Sequence, residues 1–319
     1  LVLFSLPLYA SSQMIVLINC MAISIVAVLG LNILTGLCGQ LSVGHAAFVA
    51  IGAYTTGILA NRLGLPFWVT IPLAGSTAGI IGIFFGLPAL RIKGFYLAMS
   101  TLAAQFIIIW VIKYPLAPLT GGAEGIFVPY ASLGGIIFDY PETLFYLIIG
   151  VTLIMGLAAK NIARTRAGRA FVAIRDNDLA AEVMGIRLSY YKLLAFFIGC
   201  FYAGIAGSLW SYYMLKLTFD QFLFDSSIWY LGMLIVGGMG STVGAIVGPI
   251  TLLGLRQLVT FLSPILAGVF PALAANLFAG LAKVFFGLII VLFLVFEPRG
   301  INHRWEIFKA SYRLHPFAY

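Results

Sequence analysis

Charge is what this chain most lacks. Only 9% of its 319 residues are Asp, Glu, Lys or Arg, against about 25% in soluble domains. None at all occurs between Leu1 and Asn61. A charged side chain at the centre of an inserting helix costs roughly 2.5–3.5 kcal/mol, so uncharged runs of this length are expected of a membrane domain. Several such runs recur, which excludes a lone signal peptide or anchor. Cysteine is also scarce. Cys20, Cys38 and Cys200 are scattered through apolar sequence with no CxxC pair, which favours buried packing thiols over a disulfide or a metal site. Histidine is nearly absent, His45 being the only one before the C-terminal tail. There is no HExxH, no P-loop and no Ser/His/Asp set confined to one side of the membrane, so no catalytic kit can be assembled. The apolar segments also lack carboxylates except at their ends, as at Glu297. Proton- and sodium-coupled carriers commonly use intramembrane Asp or Glu, so energy for any transport is expected from elsewhere. The chain does not begin with Met, as expected if its first residues were removed.

What is present is a succession of apolar segments. A helix needs about 20 residues to cross a ~30 Å hydrocarbon core. By that measure spans are expected near Gln13–Leu34, Gly44–Ala60, Phe67–Leu90, Gly94–Ile112, Thr143–Ala159, Leu193–Met214, Ile228–Val247, a shorter Gly248–Leu262, and Pro271–Phe296. Leu1–Ala10 reads as the remnant of another. The fold class is therefore an all-α integral membrane protein. It is expected to be a polytopic bundle of about 8–10 transmembrane helices with discontinuous or re-entrant segments, in a single transmembrane domain over residues 1–319.

The few charges orient this bundle. The net charge is +8. It is carried by the Arg91–Lys93 turn, by an island at Lys160–Lys192 and by the tail from Glu297 to Tyr319, with no basic stripe of the kind that grips nucleic acid. Basic loops stay in the cytoplasm. The segment between Tyr114 and Glu142 has no Lys or Arg but carries Glu124, Asp139 and Glu142, so it is placed outside. The alternation of spans then closes consistently, with the C-terminus inside.

Small residues recur four apart at Gly199/Ala203/Gly207, Ala78/Gly82/Gly86 and Gly240/Gly244/Gly248, the spacing that lets membrane helices approach backbone to backbone. Ordinary close packing and a moving interface both use that spacing. The stretch Gly237–Pro249, GGMGSTVGAIVGP, has glycines spaced GxGxxxG with no strand before them. It is therefore no dinucleotide fingerprint and reads instead as a broken or re-entrant helix. Arg256 and Lys283 fall in apolar segments, where each is either functional or snorkels to an interface.

Polar residues within the membrane concentrate in Gly30–Tyr54, GLNILTGLCGQLSVGHAAFVAIGAY. Asn32, Thr35, Gln40, Ser42 and His45 are side chains able to hydrogen-bond, and Gly36, Gly39 and Gly44 would weaken a regular helix. The segment reads either as a discontinuous path lining or as polar glue between helices.

The Lys160–Lys192 island holds seven of the eighteen Lys and Arg residues, interleaved with Asp176, Asp178 and Glu182. Asp176, Asn177 and Asp178 are all N-cap types, and Gly185 is a natural stop. They predict a two-turn helix, Leu179–Met184, with Leu179 and Val183 on one side. Two turns are unstable alone, so the helix needs a brace or a partner surface.

Several stretches match one family in order: Gly30–Tyr54, RIKGFYLAMSTLA from Arg91, TGGAEGI from Thr120, TRAGRAFVAIRDNDLAAEVMGI from Thr165, IVGGMGSTVGAIVGP from Ile235 and EPRGI from Glu297. The chain resembles the LivH/LivM permease family of branched-chain amino-acid ABC transporters, and its M-type members in particular. The resemblance implies an ATP-driven importer in the bacterial plasma (inner) membrane. This chain would be one permease, paired with a LivH-type permease, two cytoplasmic ABC ATPase subunits and a periplasmic substrate-binding protein. It would bind no cofactor and no metal itself, ATP–Mg belonging to the ATPases, and it would not be an enzyme. Residues 173–185 then resemble the family's EAA-type loop with its coupling helix, making Ala173, Arg175, Asp176, Asn177, Asp178, Ala181, Glu182 and Gly185 the ATPase-coupling candidates. Asn32, Thr35, Gln40, Ser42 and His45 become translocation-path candidates. The sequence departs from the family at Leu37–Cys38, where a Tyr followed by a small or polar residue is common, and in an unusually aromatic tail after Ile301. The expected cargo is a branched-chain or other hydrophobic amino acid. The alternatives are another small substrate of the same family (other amino acids, amides, urea, aromatic acids) or a self-contained carrier or channel.

Overall fold

The computed structural model describes residues 11–269 apart from 93, 134–135 and 139, positions 287–288, 291–292 and 295, and residues 300–314. Among these, six helices are long and apolar enough to cross a membrane. The described residues form an all-α fold apart from two short strand pairs. Two compact units, residues 1–231 and 232–319, make up the chain.

The first unit is built around one long helix. Its elements run α1 (Ser12–Leu31), continuing into a π-helical segment (Asn32–Leu37), then α2 (His45–Leu63), α3 (Phe67–Gly86) and α4 (Phe95–Lys113). After a short α5 (Ala117–Thr120) and strands β1 (Ile126–Phe127), β2 (Ala131–Leu133) and β3 (Ile136–Phe138) comes α6 (Pro141–Arg164). The charged island folds as α7 (Arg166–Asp176) and α8 (Asp178–Val183). Then α9 (Leu188–Met214) returns through the bundle to β4 (Lys216–Leu217) and a 3-10 turn (Phe219–Phe222).

At 27 residues, α9 is about 40 Å long and packs against α1, α2 and α3. Small residues make this possible. A Cβ on Gly30 would meet the Gly199 carbonyl at 2.5 Å, one on Gly82 would meet Cys200 Sγ at 2.5 Å, and Gly52 faces the backbone of Gly204. The Gly199 and Gly82 repeats are thus close-packing seams, where dispersion between backbones replaces the absent hydrophobic drive. His45, Thr56 and most of the apolar residues of α2 are buried inside the unit.

At one end of this unit β1 pairs antiparallel with β4, Ile126 opposite Leu217 and Phe127 opposite Lys216. The loop after α4 and the loop after α9 therefore lie at the same end. The island lies at the other end of α9. From the β4 end the chain descends: Leu217 touches the Gly57 level of α2, Phe222 meets the Tyr54 ring edge-on at 6.3 Å, and Ser227 reaches Ala46 at the start of α2.

Helix α10 (Phe224–Gly237) has 14 residues, too few to cross alone. The second unit adds α11 (Thr242–Val269) and α12 (Ile301–Leu314). The expected spans Ile228–Val247 and Gly248–Leu262 are redrawn here. The chain breaks at Gly238–Ser241, where Gly238 and Gly240 have φ of 112° and 84°, and Pro249 stands inside α11. The turn glycines, not the proline, end the helix, because left-handed φ is nearly free only for glycine. Gly237 and Gly248 then face the backbones of Gly244 and Met233, making a tight antiparallel hairpin. Arg256 is on an exposed surface of α11. Lys283 and most of Pro271–Phe296 lie outside the described residues. The aromatic tail is helical over Ile301–Leu314, and Trp305, Phe308 and Tyr312 are exposed there.

Candidate functional site

Three sequence-predicted features come together at the island end of the first unit: the π segment, the loop after it, and the α7–α8 corner. Asn32 and Thr35 are buried inside the π segment. Geometry of this kind holds one residue more per turn than an α-helix and recurs at functional sites. Thr35 folds the following loop back. Its Oγ1 donates to the Gln40 carbonyl at 3.0 Å and accepts from Ser42 N at 3.4 Å.

Beyond that loop, α2 begins abruptly at His45, and amides at and just before its start are bound by side chains from other helices. Val43 N donates to Thr101 Oγ1 at 3.0 Å, Ala46 N to Ser227 Oγ at 2.9 Å and Ala47 N to Gln105 Oε1 at 2.9 Å. Ser227 Oγ also donates to Gln105 Oε1 at 3.0 Å, and Gln105 Nε2 donates to the Phe222 carbonyl at 2.6 Å. This knot ties α2, α4 and the start of α10 inside the bundle. Sequence reading singled out none of Thr101, Gln105 and Ser227. A signal existed, since Thr101 and Gln105 are polar residues four apart on one face of an otherwise apolar helix.

The path candidates divide by how they are satisfied. His45 Nε2 lies 2.9 Å from the Ala27 carbonyl. Facing an acceptor, that nitrogen carries the proton, which leaves Nδ1 as a lone-pair acceptor. His45 Nδ1, Gln40 Oε1 and Ser42 Oγ are buried and have no hydrogen-bond partner among the described residues. Three unsatisfied polar atoms within six residues mark the 40–45 stretch as costly to keep dry.

The island contributes two helices where sequence reading expected one. Thr165 caps α7 by accepting from Gly168 N at 3.3 Å, and Asn177 caps α8 by accepting from Ala180 N at 3.1 Å. Asn177 is therefore the N-cap among the three candidates, and Asp178 sits in the first turn, where a carboxylate complements the helix dipole. Gly185, at φ 85°, takes the left-handed position just past the helix. One face of α8 packs inward through Ala181 (4% exposed), whereas Leu179, Val183 and Met184 are 68%, 87% and 82% exposed.

Arg175 and Asp176 stand at the corner before α8. Arg175 turns inward: its Nη1 donates to the Gly36 carbonyl at 2.9 Å, while Nε and Nη2 both lie 3.0 Å from Asp176 Oδ1. Lys192 of α9 is buried, with Nζ 3.7 Å from Asp178 Oδ2. Between these groups lies a cavity of about 330 Å³, bounded by Cys38–Gln40, Arg175–Asp178 and Lys192. Ala173 and Glu182 belong to α7 and α8, and Glu182 is exposed. No group of three or more His, Cys, Asp or Glu able to hold a metal occurs among the described residues.

Residues 13–294 match the family model described as the permease component of the branched-chain amino acid transport system. The chain is 30% identical over 303 residues to the high-affinity branched-chain amino acid transport system permease protein LivM of Escherichia coli K12, covering 88% of this chain and 67% of that one. The Salmonella typhimurium LivM is 29% identical over the same shares. A probable LivH permease of Methanocaldococcus jannaschii is 25% identical over 267 residues, covering 81% of each chain. No solved structure matches.

Proposed function

The chain belongs to the branched-chain amino acid transport permease family, and from that premise we propose that it forms half of the translocation path of an importer that takes its cargo from a periplasmic binding protein. It is a multi-pass membrane permease component of an ABC importer. In the proposed assembly it pairs with an H-type permease in the inner membrane. Two cytoplasmic ATPases supply the energy, this chain holds no ATP site or cofactor of its own, and its C-terminus is cytoplasmic. The cargo is a branched-chain amino acid, a reading supported by the names of the relatives.

The observation that carries the coupling role is the outward face of α8. A six-residue helix cannot persist by itself, yet this one is capped at both ends and braced through Ala181. Its large apolar residues are nevertheless held in the open. An importer ATPase offers the surface such a knob needs, with Leu179, Val183 and Met184 as anchors and Glu182 at the rim. Asn177, Asp178 and Gly185 shape the helix, and Ala173 and Asp176 set the corner. Asn32, Thr35, Gln40, Ser42 and His45 supply the polar stretch of the path, supported by the unpaired atoms at Gln40, Ser42 and His45.

Replacing Val183 by Asp tests the docking face. The ATPase subunits are expected to be lost on purification of the complex, and ATP-dependent uptake of leucine, isoleucine and valine to fall with them. Retained ATPase and full uptake would sink the assignment. Uptake by the lone chain under an ion gradient would make it a self-contained carrier. Binding of amides or aromatic acids, rather than branched-chain amino acids, by the cognate binding protein would move the cargo within the family.

A further inference from the structure

We propose that Arg175 is a positioning residue: it ties the coupling corner to the C-terminal end of the π segment, so that movement of α8 is delivered to residues 36–40 of the path. The inference rests on the importer reading above and assigns Arg175 a task other than touching the ATPase.

Four observations converge on it. First, the Gly36 carbonyl belongs to the last turn of a helix, where carbonyls lack intrahelical partners and a cation is favoured by the dipole. Arg175 Nη1 supplies that partner at 2.9 Å. Second, the guanidinium is not free to wander. Asp176 Oδ1 grips Nε and Nη2 at 3.0 Å each, and the planar fork fixes the direction of the remaining donor. Third, the contact also resists compression. Gly39, at φ 71°, lies directly on the Arg175 stem, so a Cβ there would meet Arg175 Cγ at 2.9 Å. The hydrogen bond transmits a pull and the glycine seat transmits a push.

Fourth, the corner is a short, tied connection. Asn177 caps α8, and Lys192 Nζ lies 3.7 Å from Asp178 Oδ2. The docking face of α8 and Arg175 are therefore joined through a single capping residue, Asn177, which follows α7 directly and opens α8. The neighbouring cavity of about 330 Å³ leaves that connection room to shift. On the receiving side, the π segment carries the extra residue that a change towards α-helical register would release into the Cys38–Gly44 loop.

The test uses the whole importer in proteoliposomes with its binding protein and ATPases. Three quantities are read: ATPase subunits retained on purification, ATP hydrolysed, and leucine taken up. For Arg175→Ala the ATPases remain bound and hydrolysis persists. Uptake per ATP falls roughly tenfold, the scale of one charge-assisted hydrogen bond removed from a two-state equilibrium. Arg175→Lys, which keeps a cation within reach of Gly36, recovers part of that ratio. Gly39→Val reaches the same contact from the other side and lowers the ratio while leaving the guanidinium intact, which keeps the test open if Arg175→Ala does not accumulate.

Three results would overturn the proposal. They are loss of the ATPases with Arg175→Ala, which makes it a docking contact; an unchanged uptake per ATP in Arg175→Ala, whether or not hydrolysis and uptake fall together; or an unchanged uptake per ATP in Gly39→Val. Failure of the wild-type chain to bind ATPases or to require ATP would instead defeat the importer reading, a distinguishable outcome.

Discussion

Gln105 makes three hydrogen bonds inside the bundle. Its amide accepts from Ala47 N and Ser227 Oγ and donates to the Phe222 carbonyl, joining three elements far apart in sequence. Replacing it with Leu leaves two donors and one acceptor buried without their partner. Each such group costs about 1–3 kcal/mol. Gln105→Leu is therefore expected to lower the thermal unfolding temperature of the purified permease by a wide margin, as read by fluorescence-detected size exclusion after heating. An unchanged midpoint would show that the knot is dispensable. Gln105 was barely legible beforehand. A lone Gln in an apolar helix says that a partner exists, but the amide it caps is 58 residues away and the hydroxyl 122. The island was the opposite case. Asn177 and Gly185 act on their immediate neighbours, so caps and stops could be read directly.

At the scale of elements the crossings of α9 set what can be changed. Gly52 faces the backbone of Gly204, whereas a Cβ at Gly150 meets nothing within 4 Å. Gly52→Val is expected to abolish folded, monodisperse protein, because backbone cannot move aside as a flexible side chain does. Gly150→Ala, in the middle of α6, is expected to be tolerated and to stabilise by up to about 1 kcal/mol through helix propensity. Equal yields of the two would remove the argument that small residues set these crossings. Helices that read as long apolar runs were visible from the sequence, since lipid demands just that pattern. Two features were not. Helix α7 is amphipathic and lies inside the charged island, so hydropathy passes over it and only Thr165 hints at its start. The break after α10 falls at Gly238–Ser241 although Pro249 offers the more conspicuous signal. A proline eight residues into a helix is accommodated where neighbours re-satisfy the freed carbonyl, and a pair of glycines with positive φ is not compatible with helix at all.

For the whole molecule the question is which end faces which compartment. Helix α9 separates the island from the β1–β4 pair, and the basic residues are concentrated on the island side. Cysteines placed at the exposed positions Ser132 and Arg166 should therefore be modified from opposite sides in intact cells, Ser132→Cys by an impermeant maleimide and Arg166→Cys only after permeabilisation. Background is low, because Cys38 and Cys200 are buried and Cys20 is half-buried. Labelling of both from outside would overturn the proposed orientation.

The β1–β4 pair also carries a consequence for the order of synthesis. Ile126 and Leu217 are opposite one another, yet about 90 residues of chain must be made between them. At translation rates of about 5–20 residues per second, Ile126 waits roughly 5–20 s for its partner, while two membrane crossings and the island are still being delivered. This end of the unit is thus assembled in two instalments. Its strand hydrogen bonds close only when α9 has passed through the bundle, and the Ser227–Gln105 knot can form only after them.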